Sequence, residues 1–217
     1  MNKSTHQMIL PVTYDDLKKI KVVGTDTHDI VYIEEKDGFF LNRIFSKDFR
    51  IRREVYDLLK EAQRNIPSHL SFMVYEAYRP LQRQIEMWKK IEEGMRNENP
   101  QASEAEIKAL TETFIANPYD GIGSGHQACC AIDISLCDKD GNELDMGTRC
   151  QEMVPQSVTS HPDISPKAKE NRKILFESLE NAGFANYPAE WWHYSYGDHQ
   201  WAFLKGRSEA FFGPIDI

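Results

Sequence analysis

The sequence predicts an α+β fold: one domain over residues 1–217 in which a small, mainly antiparallel sheet is flanked by helices. Three observations predict it. Apolar residues recur at helical spacing in separate stretches, the remaining apolar runs are short and rich in valine, isoleucine and aromatics, and the two kinds do not alternate regularly as a parallel βαβ fold requires. At 217 residues and 41% hydrophobic content, the chain is also long enough to bury a sizeable core.

In "DFRIRREVYDLLKEAQRNI", Ile51, Val55, Leu58, Leu59 and Ala62 share one face, which predicts a helix from about Arg52 to Asn65. "LSFMVYEAYRP" turns to short-range Val, Phe and Tyr content and predicts a strand ending before Pro80. A second helix opens with Pro80 near its first turn in "PLQRQIEMWKKIEEGMRN". In the third, "ASEAEIKALTETFIAN", Ser103 and Glu106 have capping-box spacing. The fourth is started by Ser165 with Pro166 at its first position and stopped by Gly183. Strands are expected at about 129–137 and 191–196, the latter on aromatic density.

A formal charge of -8 and a pI near 5.4 argue against nucleic acid or an anionic membrane surface as partners. The first apolar run, Met8 to Pro11, is too short for a secretory signal, and no stretch approaches the roughly 18 apolar residues of a membrane span. A cytoplasmic protein is expected. Cys129, Cys130, Cys137 and Cys150 contain no CxxC pair, so buried free thiols are expected in place of a four-sulfur zinc site or a vicinal disulfide.

"GIGSGHQACCAIDISL" holds the chemistry. Alternation along 130–136 puts Ala131, Asp133 and Ser135 on the face opposite Cys130, Ile132, Ile134 and Leu136. That second face can be solvent, and a lone aspartate gives no reason to think otherwise. Two features change this. His126 follows Gly121, Gly123 and Gly125, a loop permissive enough to fold an imidazole back onto the carboxylate. Glu190 and His193 flank two tryptophans in "AEWWHYSYGDHQWA"; both can serve one site only if the chain bends near Glu190, and Pro188 favours a bend. His126, Asp133 and His193 are ligand types that a catalytic zinc accepts while leaving a position for water, and Glu190 is a carboxylate able to take that water's proton. Spacing alone leaves a second reading open, in which the histidines are ordinary polar residues and Glu190 a surface acid. No HExxH helix is present.

Three motifs, "YEAYRP", "SGHQACCAID" with its Ser-x-His and Ala-x-Asp, and "EWWHY", resemble the zinc D-alanyl-D-alanine dipeptidases, the VanX-like branch of a larger group of D,D-peptidases. "LDMGT" and "SHP" add to the likeness, which runs from about residue 10 to the end. The resemblance implies one zinc ion per chain, carried on the small sheet by His126, Asp133 and His193, with Glu190 as general base and acid. It implies that Arg79 stabilises the oxyanion, a role suited to a permanently charged guanidinium with fork geometry, and that Ser124 lies near substrate.

Two departures stand out. Cys129 replaces a family glycine, and Gln151 stands where the pattern after "MGT" has an aspartate that would meet the substrate's ammonium, with Glu152 as a neighbouring substitute. The activity implied is hydrolysis of a small D,D-dipeptide, most simply D-alanyl-D-alanine. A D,D- or L,D-carboxypeptidase acting on longer wall peptides is the alternative within the same chemistry, and a metal-binding homologue without turnover the alternative outside it. Binding a metal requires neither Glu190 nor Arg79, which argues against the last.

Overall fold

The computed structural model describes residues 12–24 and 29–217. The Met8–Pro11 run lies outside them. In chain order the elements are α1 (Tyr14–Leu17), β1 (Lys21–Val22), β2 (Ile30–Tyr32), β3 (Phe40–Leu41), β4 (Arg50–Arg52), α2 (Arg53–Asn65) and β5 (Leu70–Glu76). There follow α3 (Leu81–Glu98), α4 (Glu104–Glu112), β6 (Ala131–Asp138), α5 (Pro166–Asn181), β7 (Ala185–Asn186), β8 (His193–Ser195), α6 (His199–Leu204) and β9 (Glu209–Ala210). The expected α+β architecture is present. A five-stranded sheet in the order β3-β5-β6-β8-β7 is antiparallel except for the β3–β5 pair, and β1–β9 and β2–β4 form two-stranded ladders beside it.

The local signals act as the residues dictate. Val55, Tyr56, Leu59 and Ala62 form the buried face of α2. Ser103 and Glu106 close a reciprocal capping box at α4. Ser165 Oγ accepts the Ala168 N–H at the start of α5, and Gly183, at φ 103°, follows its end. One helix start differs from expectation: Pro80 caps α3 from outside, in extended conformation, so the helix begins at Leu81. Among the described residues, no helix is long and apolar enough to cross a membrane. All four cysteines are buried free thiols.

Strand β6 is central and covered on both sides. Ile132, Ile134 and Leu136 join the main core with residues of α2, β5 and α5, while Asp133 and Ser135, on the other face, are also buried. Asp133 is 2% exposed, which removes the solvent reading of its face. The expected strand at 129–137 begins two residues later, because Cys129 takes a left-handed φ of 54° and turns the chain into β6. A side chain in that region costs roughly 1–2 kcal/mol. The expected strand at 191–196 is shorter still. Trp191 and Trp192 lie in a turn, only His193–Ser195 is strand, and Asp198 then caps α6 by accepting the Trp201 N–H.

Candidate metal centre and active site

Three neighbouring strands build the floor of the site. Asp133 of β6 lies directly opposite His193 of β8, so their side chains share a face at the shortest cross-strand spacing. On the other side, a β-bulge between Val74 and Glu76 shifts the register so that Glu76 also comes opposite Asp133. A carboxylate, a carboxylate and an imidazole therefore stand in one row across the sheet.

His126 comes from above. The 124–131 segment folds back on itself, with Ala128 N–H donating to the Ser124 carbonyl and both Cys130 and Ala131 N–H to that of Gly125. Gly125 permits this: a Cβ there would come within 2.0 Å of Asp198 Oδ2 and 2.9 Å of the Ala131 methyl. The result is a triad in which His126 Nε2 lies 3.3 Å and His193 Nδ1 3.0 Å from the same oxygen, Asp133 Oδ1. One ligand atom from each residue falls within 4.8 Å of the others.

The remaining ring nitrogens are spoken for. His126 Nδ1 lies 2.8 Å from the Ala77 carbonyl, an acceptor only, so this nitrogen carries the proton and Nε2 presents its lone pair. His193 has an acceptor at each ring nitrogen in the metal-free chain, Gln200 Oε1 at 3.2 Å from Nε2 and Asp133 Oδ1 at 3.0 Å from Nδ1, which favours the protonated ring. Burial opposes the charge on Asp133, yet the two imidazoles outweigh it and hold the carboxyl well below the usual carboxylate range. Burial pulls His193 down, and the Asp133 carboxylate more than offsets it, raising the imidazole to about 8.

Glu190 sits in the tight connection between β7 and β8. Its N–H donates to the Tyr187 carbonyl and its carbonyl accepts the His193 N–H, the bend that allows residues three apart to serve one site. On the cavity wall, burial pushes its carboxyl up to about 7, the range of a working general base. Arg79, just past β5, is 8% exposed. Its N–H donates to the His126 carbonyl, tying the two loops together. Three of its five side-chain N–H bonds are anchored, two on Glu76 (3.0 and 2.6 Å) and one on Gln84 (2.9 Å), so the remaining pair is left to the cavity it lines.

Matched against known families, the chain fits that of peptidase M15, D-ala-D-ala dipeptidase, over residues 50–210. The chain belongs to this family. Among its relatives is the D-alanyl-D-alanine dipeptidase of Escherichia coli (strain K12), 33% identical over 127 residues, covering 58% of this chain and 55% of that protein. That of Synechocystis is 36% identical over 108 residues, 42% and 44% of the two chains, and that of Enterococcus faecium 29% identical over 160 residues, 73% and 76%. The match spans about half the length of the first two relatives. A solved structure of VanYB in complex with D-alanine-D-alanine aligns over 73% of this chain and 79% of that one, with 21% identity and a TM-score of 0.44.

Gln151, at a left-handed φ of 62°, turns its side chain inward, where Nε2 donates to Asp133 Oδ2 at 2.6 Å and to Glu76 Oε2 at 3.0 Å. Glu152 is exposed, and its carboxylate accepts the Arg149 N–H. Ser124 lines the cavity, its hydroxyl accepting the Gln127 N–H. His199 lines the same wall outside the triad, and His161 lies on a loop bonded to Asp163. Sequence reasoning missed Glu76, 0% exposed, which also meets Arg83 Nη1 at 2.8 Å. It missed Gln84 and Gln200 too, the partners that aim Arg79 and His193.

Proposed function

We propose that residues 1–217 form one zinc-dependent D,D-peptidase domain, hydrolysing a small D,D-peptide of which D-alanyl-D-alanine is the simplest, with one metal ion held by His126 Nε2, Asp133 and His193 Nδ1. The observation that carries this reading is the convergence of three ligand atoms, from buried His126 and Asp133 and half-buried His193, with the outer nitrogen of each imidazole against a hydrogen-bond acceptor. A nitrogen, nitrogen and oxygen donor set fits zinc, which supplies a Lewis acid that polarises a carbonyl and acidifies water.

The chain's own groups do the rest. Glu190, with its carboxyl near 7, accepts the proton of the attacking water and returns it to the departing amine. Arg79, held rigid by Glu76 and Gln84, directs two N–H bonds at the negative charge that develops on the carbonyl oxygen. Ser124 and Gln151 border the space where the peptide lies.

Elemental analysis and an alanine-release assay test this together. Zinc is expected at one equivalent per wild-type chain and at a small fraction of that in His193→Ala, with D-Ala-D-Ala cleaved and L-Ala-L-Ala spared. Unchanged zinc in the variant would move the site elsewhere.

Metal loading should also release protons. Because His193 titrates at about 8 in the metal-free chain, it is protonated at pH 7, and loading displaces that proton. Affinity is expected to strengthen as pH rises toward 8 and to weaken below it, by up to about tenfold per pH unit. Calorimetric titration at pH 7 in two buffers of different ionisation enthalpy should show about one proton released; no difference between buffers would rule the scheme out.

A further inference from the structure

Apart from the cavity of the triad, a second hollow of about 580 Å³ lies between the 43–50 segment and the start of α3. Four of its lining side chains, Arg43, Lys47, Arg50 and Arg83, are cations, and among the described residues Asp48 is the one carboxylate that lines it. In a chain of formal charge -8 this is a local reversal of sign. Like charges gathered in one place repel, and a hollow walled by protein focuses their field, so the arrangement is one that an anion relieves.

Two of the cations are held in place. Arg83 donates to Glu76 Oε1 at 2.8 Å and to the Phe45 carbonyl, but Glu76 already faces Arg79, so one carboxylate serves two guanidinium groups. Arg50 forks onto Asp48 at 2.6–3.1 Å and lies 4.7 Å over the Tyr78 ring. The segment carrying them is pinned as well, with Ser46 Oγ accepting the Asp48 N–H and Asn42 Oδ1 the Ile44 N–H. Groups fixed in advance lose little freedom when a ligand arrives. The other two cations are uncommitted. Lys47 is exposed and has no partner among the described residues, and Arg43 meets Glu35 only at 3.5 Å, in an exposed pair of a kind that contributes little.

The rest of the lining selects among anions. Tyr32, Phe45 and Ile44 line the hollow and are exposed, Ile44 by 78%. A carboxylate brings a single charge and occupies one guanidinium fork. A phosphate monoester brings about 1.5–2 charges on three oxygens, enough to engage several cations at once. An aromatic or apolar body on the ester would in turn cover the exposed rings and Ile44. We propose that this hollow is a binding site for a soluble phosphate monoester with an apolar or aromatic body, separate from the metal centre.

The test is calorimetric titration of the zinc-loaded full chain with phenyl phosphate, inorganic phosphate and benzoate. Phenyl phosphate is expected to bind about tenfold more tightly than inorganic phosphate, the effect of covering one aromatic ring. It should exceed benzoate, which has the ring and only one charge, by about tenfold as well. Lys47→Glu and Arg43→Glu should each weaken phenyl phosphate about tenfold, the loss of one charge-assisted contact, while Lys47→Gln weakens it less. Both residues are exposed, so the variants should keep the zinc content and melting temperature of the wild type. Phosphate can also ligate zinc, and that alternative is distinguishable: phenyl phosphate bound equally by the wild type and both charge-reversed variants would place the anion at the metal and overturn the proposal. Benzoate binding as tightly as phenyl phosphate would overturn it too, as would attachment to vesicles of phosphatidic acid in a neutral lipid without binding of phenyl phosphate.

Discussion

Glu190→Gln is expected to keep its full complement of zinc and lose about 10²- to 10⁴-fold in kcat, the usual contribution of a positioned general base. The two halves of that result have separate causes. The metal stays because Glu190 lies outside the set of ligand atoms that converge on one another. Turnover goes because an amide of the same shape has no basic oxygen to receive the proton of water. A pH profile adds a signature that a merely structural role would not produce. The carboxyl must be ionised to act as a base, so wild-type kcat/KM should fall as pH drops through its pKa, which is about 7 in the metal-free chain and is drawn lower by a neighbouring dication. In the variant that acid limb should vanish. A variant with near-normal turnover and an unaltered profile would remove Glu190 from the mechanism.

The clustering of His126, Asp133, His193 and Glu190 was legible in the sequence because its parts have uncommon chemistry for their places: a histidine after three glycines, an aspartate in an apolar run, and a Glu and His around two tryptophans. What alternation could not say was whether the Asp133 face met water. A strand's period of two separates faces but does not tell which are covered, and β6 is covered on both: Ile132, Ile134 and Leu136 pack in the main core, while Asp133 and Ser135 are buried on the other face. The two-residue strands β3 and β7 were invisible for another reason, being shorter than any pattern of period two can register. In "SYGDHQWA", aromatic density pointed to strand, while Gly197 at φ 80° and the Asp198 cap impose a turn and then a helix.

Glu76 escaped because it resembles any polar residue closing a strand. Its importance depends on a bulge that no sequence pattern announces and on partners from three separate segments. A signal did exist: "YEAYRP" places the acid three residues before Arg79, a spacing that becomes a contact once the strand ends in a turn.

Glu76→Gln should therefore be costly in both stability and activity. The carboxylate is 0% exposed and neutralises Arg79, itself 8% exposed, with Arg83 as a second cation at 2.8 Å. Burial raises the pKa of Glu76, but the Arg79 charge outweighs it and leaves the carboxyl below its ordinary range. Removing one partner of a buried pair strands the other charge, a loss of about 3–5 kcal/mol. At roughly 2–4 °C per kcal/mol for a chain of this size, Tm should fall by about 6–20 °C. The pH dependence carries the sign of a depressed carboxyl. Its stabilisation is fully present above the unfolded value of about 4.3 and is lost as pH falls below it, so the gap between wild type and variant should narrow in acid. Activity should fall as well, because an Arg79 no longer held by two bonds cannot aim its free N–H groups. Glu76→Asp, which keeps the charge but shortens the reach, should recover more of the stability than of the activity. A Glu76→Gln chain melting within about 2 °C of wild type at neutral pH would show that Arg79 draws its compensation from elsewhere, and the bulge at Val74–Glu76 would then need another explanation.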